Sequence, residues 1–175
     1  GHQVDEAPQT SADVKTSFAF SGPDGHSLLT RLAAAGHTRV DDSSTASVAL
    51  LTAETRDGIR EQLDSIGPTD AVVLVPGVCV THAEVQTIAA IDPARLITYD
   101  SLFLENAGAI TLNVGGQAFD AGVHRVEALF AAAGLTPVWV ADAPALVLPR
   151  IVCMLINEAA FAVQDQVADA ATIDQ

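Results

Sequence analysis

From Ser17 onward, apolar residues alternate between short runs and stretches with helical spacing. SFAF (17–20) is a short strand candidate that leads into a turn-rich segment, GPDGHS (22–27). SLLTRLAAAG then places Leu28, Leu29, Leu32 and Ala33 on one helical face, with Gly36 as the stop. TRVDD (38–42) predicts a second short strand, and ASVALLTA (46–53) a third whose unbroken apolar run suits burial on both faces. Ile59, Leu63 and Ile66 put a helix over Thr55 to Ile66, ended by Gly67-Pro68. DAVVLVPGV (70–78) is the clearest strand, and Thr81 is a good cap for a helix in HAEVQTIAAI. RLITYDSLF (95–103) returns to strand, as does Ile110 to Val114 before Gly115-Gly116. Phe119, Val123, Val126, Leu129 and Phe130 form the stripe of a helix running to Ala133, and TPVWVAD (136–142) is the last strand.

Strands separated by helices of this length are βαβ units, which require a mainly parallel sheet with helices on both faces. The pattern therefore predicts an α/β, doubly wound domain over 17–144. Residues 1–16 are polar and without periodicity, and read as a frayed segment; Gly1-His2 could be left from a cleaved tag. The last thirty residues differ. ALVLPRIVCMLINEAAFAVQDQVADA (145–170) reads as one long helix, and its first half is apolar on every side. Such a helix needs a cover larger than one sheet face, so a partner subunit or further chain is expected on Leu148, Val152, Leu155 and Ile156.

Composition narrows the function classes. Eight basic against 22 acidic residues give a net charge of −14, which argues against nucleic acid or an anionic membrane as partner. No run of 18 apolar residues predicts a membrane span, and the N-terminus has no signal-peptide pattern, so a cytoplasmic protein is expected. Cys79 and Cys153 read as buried small hydrophobes in a reducing compartment. The five histidines fall in turns or on helix surfaces without metal-ligand spacing, so no metal site is expected.

A dinucleotide fold needs a glycine-rich turn after its first strand, because pyrophosphate must approach backbone N–H groups at a helix N-terminus. Here that turn is Gly22-Pro23-Asp24-Gly25-His26-Ser27. Asp24 stands where the second glycine of G-x-G-x-x-G belongs and Ser27 where the third does, while Pro23 removes a donor. Asp41 lies near the position of a ribose-binding acid. Gly22, Gly25 and Asp41 are thus the candidate cofactor residues, in a degraded fingerprint that also reads as a plain strand-to-helix turn.

In LTPVWVADAPALVLPRIVCMLINEAAFAVQDQVADAATID (135–174), Thr136, Pro137, Val138, Val140, Asp142, Pro144, Arg150, Asn157, Glu158, Ala159, Val167, Ala168, Ile173 and Asp174 follow a recognisable pattern. They resemble the junction between cofactor domain and helical domain in 3-hydroxyacyl-CoA dehydrogenases. Upstream, VQTIA and ARLITYDSLF sit where that family has its I-T-x-I-A and R-x-x-G-x-H-F-F-N-P segments. The resemblance implies a Rossmann-like domain over 17–144 and the first, truncated helix of the helical domain over 145–175. It also implies a parent enzyme that uses NAD to oxidise a 3-hydroxyacyl-CoA to the 3-oxoacyl-CoA, as a homodimer.

The departures bear on activity. Asp100 stands where the family has its catalytic His, Leu112 where it has the Glu that orients that His, and Pro149 where it has a substrate-contacting Asn. The family's substrate-contacting Ser maps near Thr81. Removal of a hydroxyl proton needs an imidazole of near-neutral pKa, and a carboxylate is too weak a base unless heavily buried. The pattern is similar to the second, degenerate unit of long bacterial members associated with fatty-acid and phenylacetate degradation. No catalytic residue is therefore expected in this chain, which reads as a fragment with a structural and oligomerising role and no bound NAD of its own. Two alternatives stay open: a surviving nucleotide- or CoA-binding domain using Gly22, Gly25 and Asp41, and an enzyme with Asp100 as base.

Overall fold

A computed structural model of the chain describes residues 15–88, 91–116 and 120–173. Fourteen elements alternate along it. β1 (Ser17–Ser21) leads to α1 (Ser27–Ala34), then β2 (Thr38–Val40) and β3 (Val48–Leu51). α2 (Arg56–Ile66), β4 (Val72–Pro76) and α3 (His82–Ile88) follow, and a short 3-10 turn at Pro93–Arg95 enters β5 (Leu96–Tyr99). The remainder is β6 (Ala109–Asn113), α4 (Asp120–Ala132), β7 (Thr136–Trp139), α5 (Leu148–Gln164) and α6 (Ala170–Ile173). Phe119, Ala89 and Ala90, which the helical readings included, lie outside the described residues.

Local chemistry accounts for the helix starts. The Thr55 hydroxyl accepts the Gly58 N–H at 3.2 Å and opens α2. Thr81 and Glu84 form a reciprocal capping pair at α3: the Thr81 hydroxyl accepts the Glu84 N–H, and the Glu84 carboxylate accepts the Thr81 N–H at 2.8 Å.

The seven strands form one sheet in the order β2-β1-β3-β4-β5-β6-β7. Neighbours from β2 to β5 are parallel, β5 and β6 are antiparallel, and β7 runs parallel to β6. Strand alternation sorts the core into two layers. Phe18, Phe20, Val48, Leu50, Val72, Leu74, Ile97 and Tyr99 face α1 and α4, meeting Leu28, Leu32, Leu129 and Phe130. Ala49, Leu51, Val73, Val75 and Leu96 face α2 and α3, meeting Ile59, Leu63 and Val85. This is the expected doubly wound, mainly parallel α/β sheet, and β3 is buried on both faces.

Four expectations are corrected. The strand read as 95–103 ends at Tyr99, because the Asp100 carboxylate accepts the Leu102 N–H and turns the chain; Phe103 sits at φ 54°. The single helix read over 145–170 is two: Ala145 and Leu146 are left-handed (φ 58° and 45°) ahead of α5, and Asp165–Asp169 separates α5 from α6. The two cysteines are exposed, Cys79 in the loop after β4 and Cys153 on α5. His37 and His82 depart from the surface reading as well, since both are buried. The His82 ring fits because Gly115 has no side chain; a Cβ there would lie 2.0 Å from Nδ1. Among the described residues no helix is long and apolar enough to cross a membrane, and no cluster of His, Cys, Asp or Glu could hold a metal.

Arg31 joins the two ends of the molecule's larger core layer. Its guanidinium donates to four carbonyls: Ala133 and Gly134 at 3.0 Å, just past α4, and Leu104 and Ala107 at 2.8 Å in the turn after β5. A cation at the carbonyl end of α4 also complements the helix dipole. Arg31→Met keeps the stem and strands those acceptors, so unfolding in urea should show a loss of about 2 kcal/mol. A loss below about 0.5 kcal/mol, the range of an ordinary surface change, would remove Arg31 from this role.

Candidate functional site

The chain leaves β1 through α1 toward β2 on one side, while β3 pairs with β1 on the other. That reversal is a topological switch point, and in open α/β sheets ligands bind beyond the carboxyl ends of the strands there. The candidate residues Gly22 and Gly25 lie in the turn between β1 and α1, and Asp41 follows β2. The structure brings the turn and the β2 end to the same rim: Arg39 on β2 pairs with Asp24 in the turn at 2.8 Å.

Two side chains of the protein pack into the crevice. Thr52, at the end of β3, packs so closely on Gly22 that a Cβ there would lie 2.1 Å from its hydroxyl oxygen. That hydroxyl donates to the Ser21 carbonyl at 3.0 Å. Gln62, from the second turn of α2, reaches into the same place. Its amide nitrogen donates to the Ser21 carbonyl at 2.9 Å, and its oxygen accepts the Thr52 and Ala53 N–H groups at 3.0 Å.

A pyrophosphate needs free N–H groups in this turn. Pro23 has none. The His26 N–H donates to the Pro23 carbonyl at 3.0 Å, and the Leu28 N–H donates to His26 Nδ1 at 3.3 Å, so the imidazole caps α1. Burial lowers the His26 pKa below its usual value, partly opposed by the Glu54 and Glu105 carboxylates. The His26 imidazole, the Asp24 carboxylate paired with Arg39, and the Glu54 carboxylate stand at or near this turn. These residues do not fit a dinucleotide pyrophosphate. Asp41 lines a depression of about 130 Å³ with Ser21, Ser43 and Ser65.

The positions that correspond to the family's catalytic groups are also committed elsewhere. Asp100 is buried, and burial raises its pKa while backbone N–H donors oppose the rise. One carboxylate oxygen accepts the Leu102 N–H at 3.3 Å and the other the Leu148 N–H at 2.8 Å. Leu112 is fully buried in the core layer against α4, and Pro149 is buried in the first turn of α5. Thr81 is taken up by the α3 cap. His82, beside it, has both ring nitrogens engaged, Nε2 with the Leu96 carbonyl and Nδ1 with the Gln86 amide, each at 3.0 Å. On α5, Leu155 and Ile156 are exposed, whereas Leu148 and Val152 are half-buried.

Sequence reasoning passed over Thr52 and Gln62 because neither belongs to a motif; they meet only once β3 and α2 are folded together. The cap function of His26 was legible in principle, since it precedes the apolar run of α1, although Ser, Thr, Asp or Asn is the usual residue there.

No protein-family model matches the sequence, and no curated protein does. Solved structures share its fold. (S)-3-hydroxybutyryl-CoA dehydrogenase from Ralstonia eutropha superposes with a TM-score of 0.72 at 16% identity, over 91% of this chain and 75% of that one. A 3-hydroxyacyl-CoA dehydrogenase from Archaeoglobus fulgidus gives 0.69 at 12% identity, over 92% and 67%. The 5-dehydrogenase of 5-formyl-3-hydroxy-2-methylpyridine 4-carboxylic acid, an NAD+-dependent dismutase, gives 0.71 at 18% identity, over 92% and 69%. The chain therefore has the fold of the 3-hydroxyacyl-CoA dehydrogenases.

Gln62→Leu removes three hydrogen bonds at the crevice and leaves the Thr52 and Ala53 amides to find water, while the Ser21 carbonyl keeps the Thr52 hydroxyl. Its unfolding free energy should fall by about 2 kcal/mol in denaturant titration. Parental stability would mean that Gln62 does not hold the ends of β1 and β3 together.

Proposed function

We propose that this chain is a non-catalytic, Rossmann-like unit of a 3-hydroxyacyl-CoA dehydrogenase, with an assembly role. In that reading the parent protein oxidises a 3-hydroxyacyl-CoA to the 3-oxoacyl-CoA with NAD, in fatty-acid or phenylacetate degradation in the cytoplasm. Residues outside this chain do that chemistry. The observation that carries the reading is the packing of Thr52 and Gln62 into the crevice at the end of β1. Two further observations support it. The Asp100 carboxylate has both oxygens bonded to backbone N–H groups, and Leu112 offers nothing to orient a base.

The assembly role rests on α5. Met154, Leu155 and Ile156 are 66, 64 and 61% exposed, and Ile151 and Phe161 add to the same uncovered surface. Apolar side chains this dense on one exposed helix mark a protein contact. A homodimer, or the remainder of the parent chain, would cover it. A second reading, a unit that still takes up a nucleotide or CoA, has one feature in its favour: the depression lined by Ser21, Asp41 and Ser43.

Sedimentation equilibrium of the isolated chain tests the assembly role. The parent chain should have at least the mass of a dimer, and Ile156→Glu or Leu155→Glu should give a soluble monomer with an unchanged circular dichroism spectrum. Because the variants place a charge in an apolar contact, association should weaken by about 100-fold or more. An unchanged oligomer mass in both would overturn α5 as the interface.

A further inference from the structure

α5 is anchored to the sheet almost entirely at its first turn, since Pro149 is the one buried residue along it. What sets its direction is the strap over 140–147 that joins it to β7. The strap is pinned along its length. The Val140 N–H donates to the Leu112 carbonyl at 2.9 Å, and the Asn113 amide donates to the Val140 carbonyl at 2.8 Å. The Asp142 carboxylate accepts the His82 N–H at 3.1 Å. Ala145 and Leu146 then take the left-handed conformation, which side-chain-bearing residues adopt only where surroundings over-determine it. The surroundings do so here. The Leu146 side chain, 2% exposed, fills a notch that exists because residue 77 is glycine; a Cβ on Gly77 would lie 2.9 Å from its Cδ1.

The helix start completes the arrangement. Val147, at the N-cap of α5, makes no side-chain cap bond. The cap comes from 48 residues earlier, where Asp100 accepts the Leu148 N–H at 2.8 Å. Asp100, just past β5, is itself held to β6 through its own N–H to the Thr111 carbonyl at 3.0 Å, and its second oxygen accepts the Leu102 N–H. A carboxylate at the N-terminus of a helix is also favoured by the helix dipole.

We infer that Asp100 and the 140–147 strap form a conformational lock, with Asp100 as the positioning residue that fixes the angle of α5 against the sheet. The apolar arm is thereby presented in one direction, whether or not it meets a second copy. Its failure and that of the assembly role are separable, because one concerns the angle of α5 and the other what covers it.

Double electron–electron resonance tests this on the full chain, with Cys79 and Cys153 replaced by Ser and labels at Glu61→Cys on α2 and Asn157→Cys on α5. Labelled chain is diluted in excess unlabelled chain so that only intramolecular distances are read. The parent should give one narrow distance distribution. Asp100→Ala should broaden it by about twofold or more while the thermal transition of the sheet persists. Leu146→Ala, which empties the notch and leaves Asp100 in place, should broaden it too and carries the test alone if Asp100→Ala does not fold. A distribution as narrow as the parent's in the folded variant would overturn the lock.

Discussion

The side chain of Gln62 makes three hydrogen bonds, one to the last carbonyl of β1 and two to the amides that follow β3. In a doubly wound sheet the connections leaving those two strand ends run in opposite directions, and the crevice between them is the natural place for a ligand. Here they are tied to one another across it, with Thr52 packed against Gly22 in the space that remains. In the turn that would face a phosphate, Pro23 has no N–H and the His26 and Leu28 N–H groups are used within the turn. In the proposed reading, the fold keeps its architecture without its usual binding site.

Electrostatics reinforce the closure. Asp24, Glu54 and Glu84 stand along the same carboxyl edge; Asp24 and Glu84 pair with Arg39 and Arg56, and Glu54 takes a hydrogen bond from Ser101. With a net charge of −14 on the chain, the edge has little to offer an anionic ligand. The apolar surface that remains unused by the core lies at the other end of the sequence, on α5.

Much of the fold was legible because its strongest signals are local. VVLVP and VALL are apolar without interruption, as strands covered on both faces must be, and glycines at 36, 67 and 134 end helices or turns in positive φ. What failed depended on contacts between distant residues. Asp100 lies in a strand-like run, but its bond to Leu102 turns the chain and its bond to Leu148 caps a helix. ALVLP has helical composition, yet Leu146 is drawn into the notch at Gly77 and the helix starts later. The degraded state of the Gly22–Ser27 turn was visible in Pro23 and Asp24, whereas its closure by Thr52 and Gln62 required the packed structure.

The central claim is that the crevice at the end of β1 takes no dinucleotide. Isothermal titration calorimetry of the chain with NADH, up to millimolar ligand, tests it most directly. The account predicts no saturable heat. Saturable binding with a micromolar dissociation constant, weakened by Gly25→Val or Asp41→Ala, would contradict it, because the turn would then hold a pyrophosphate despite Thr52.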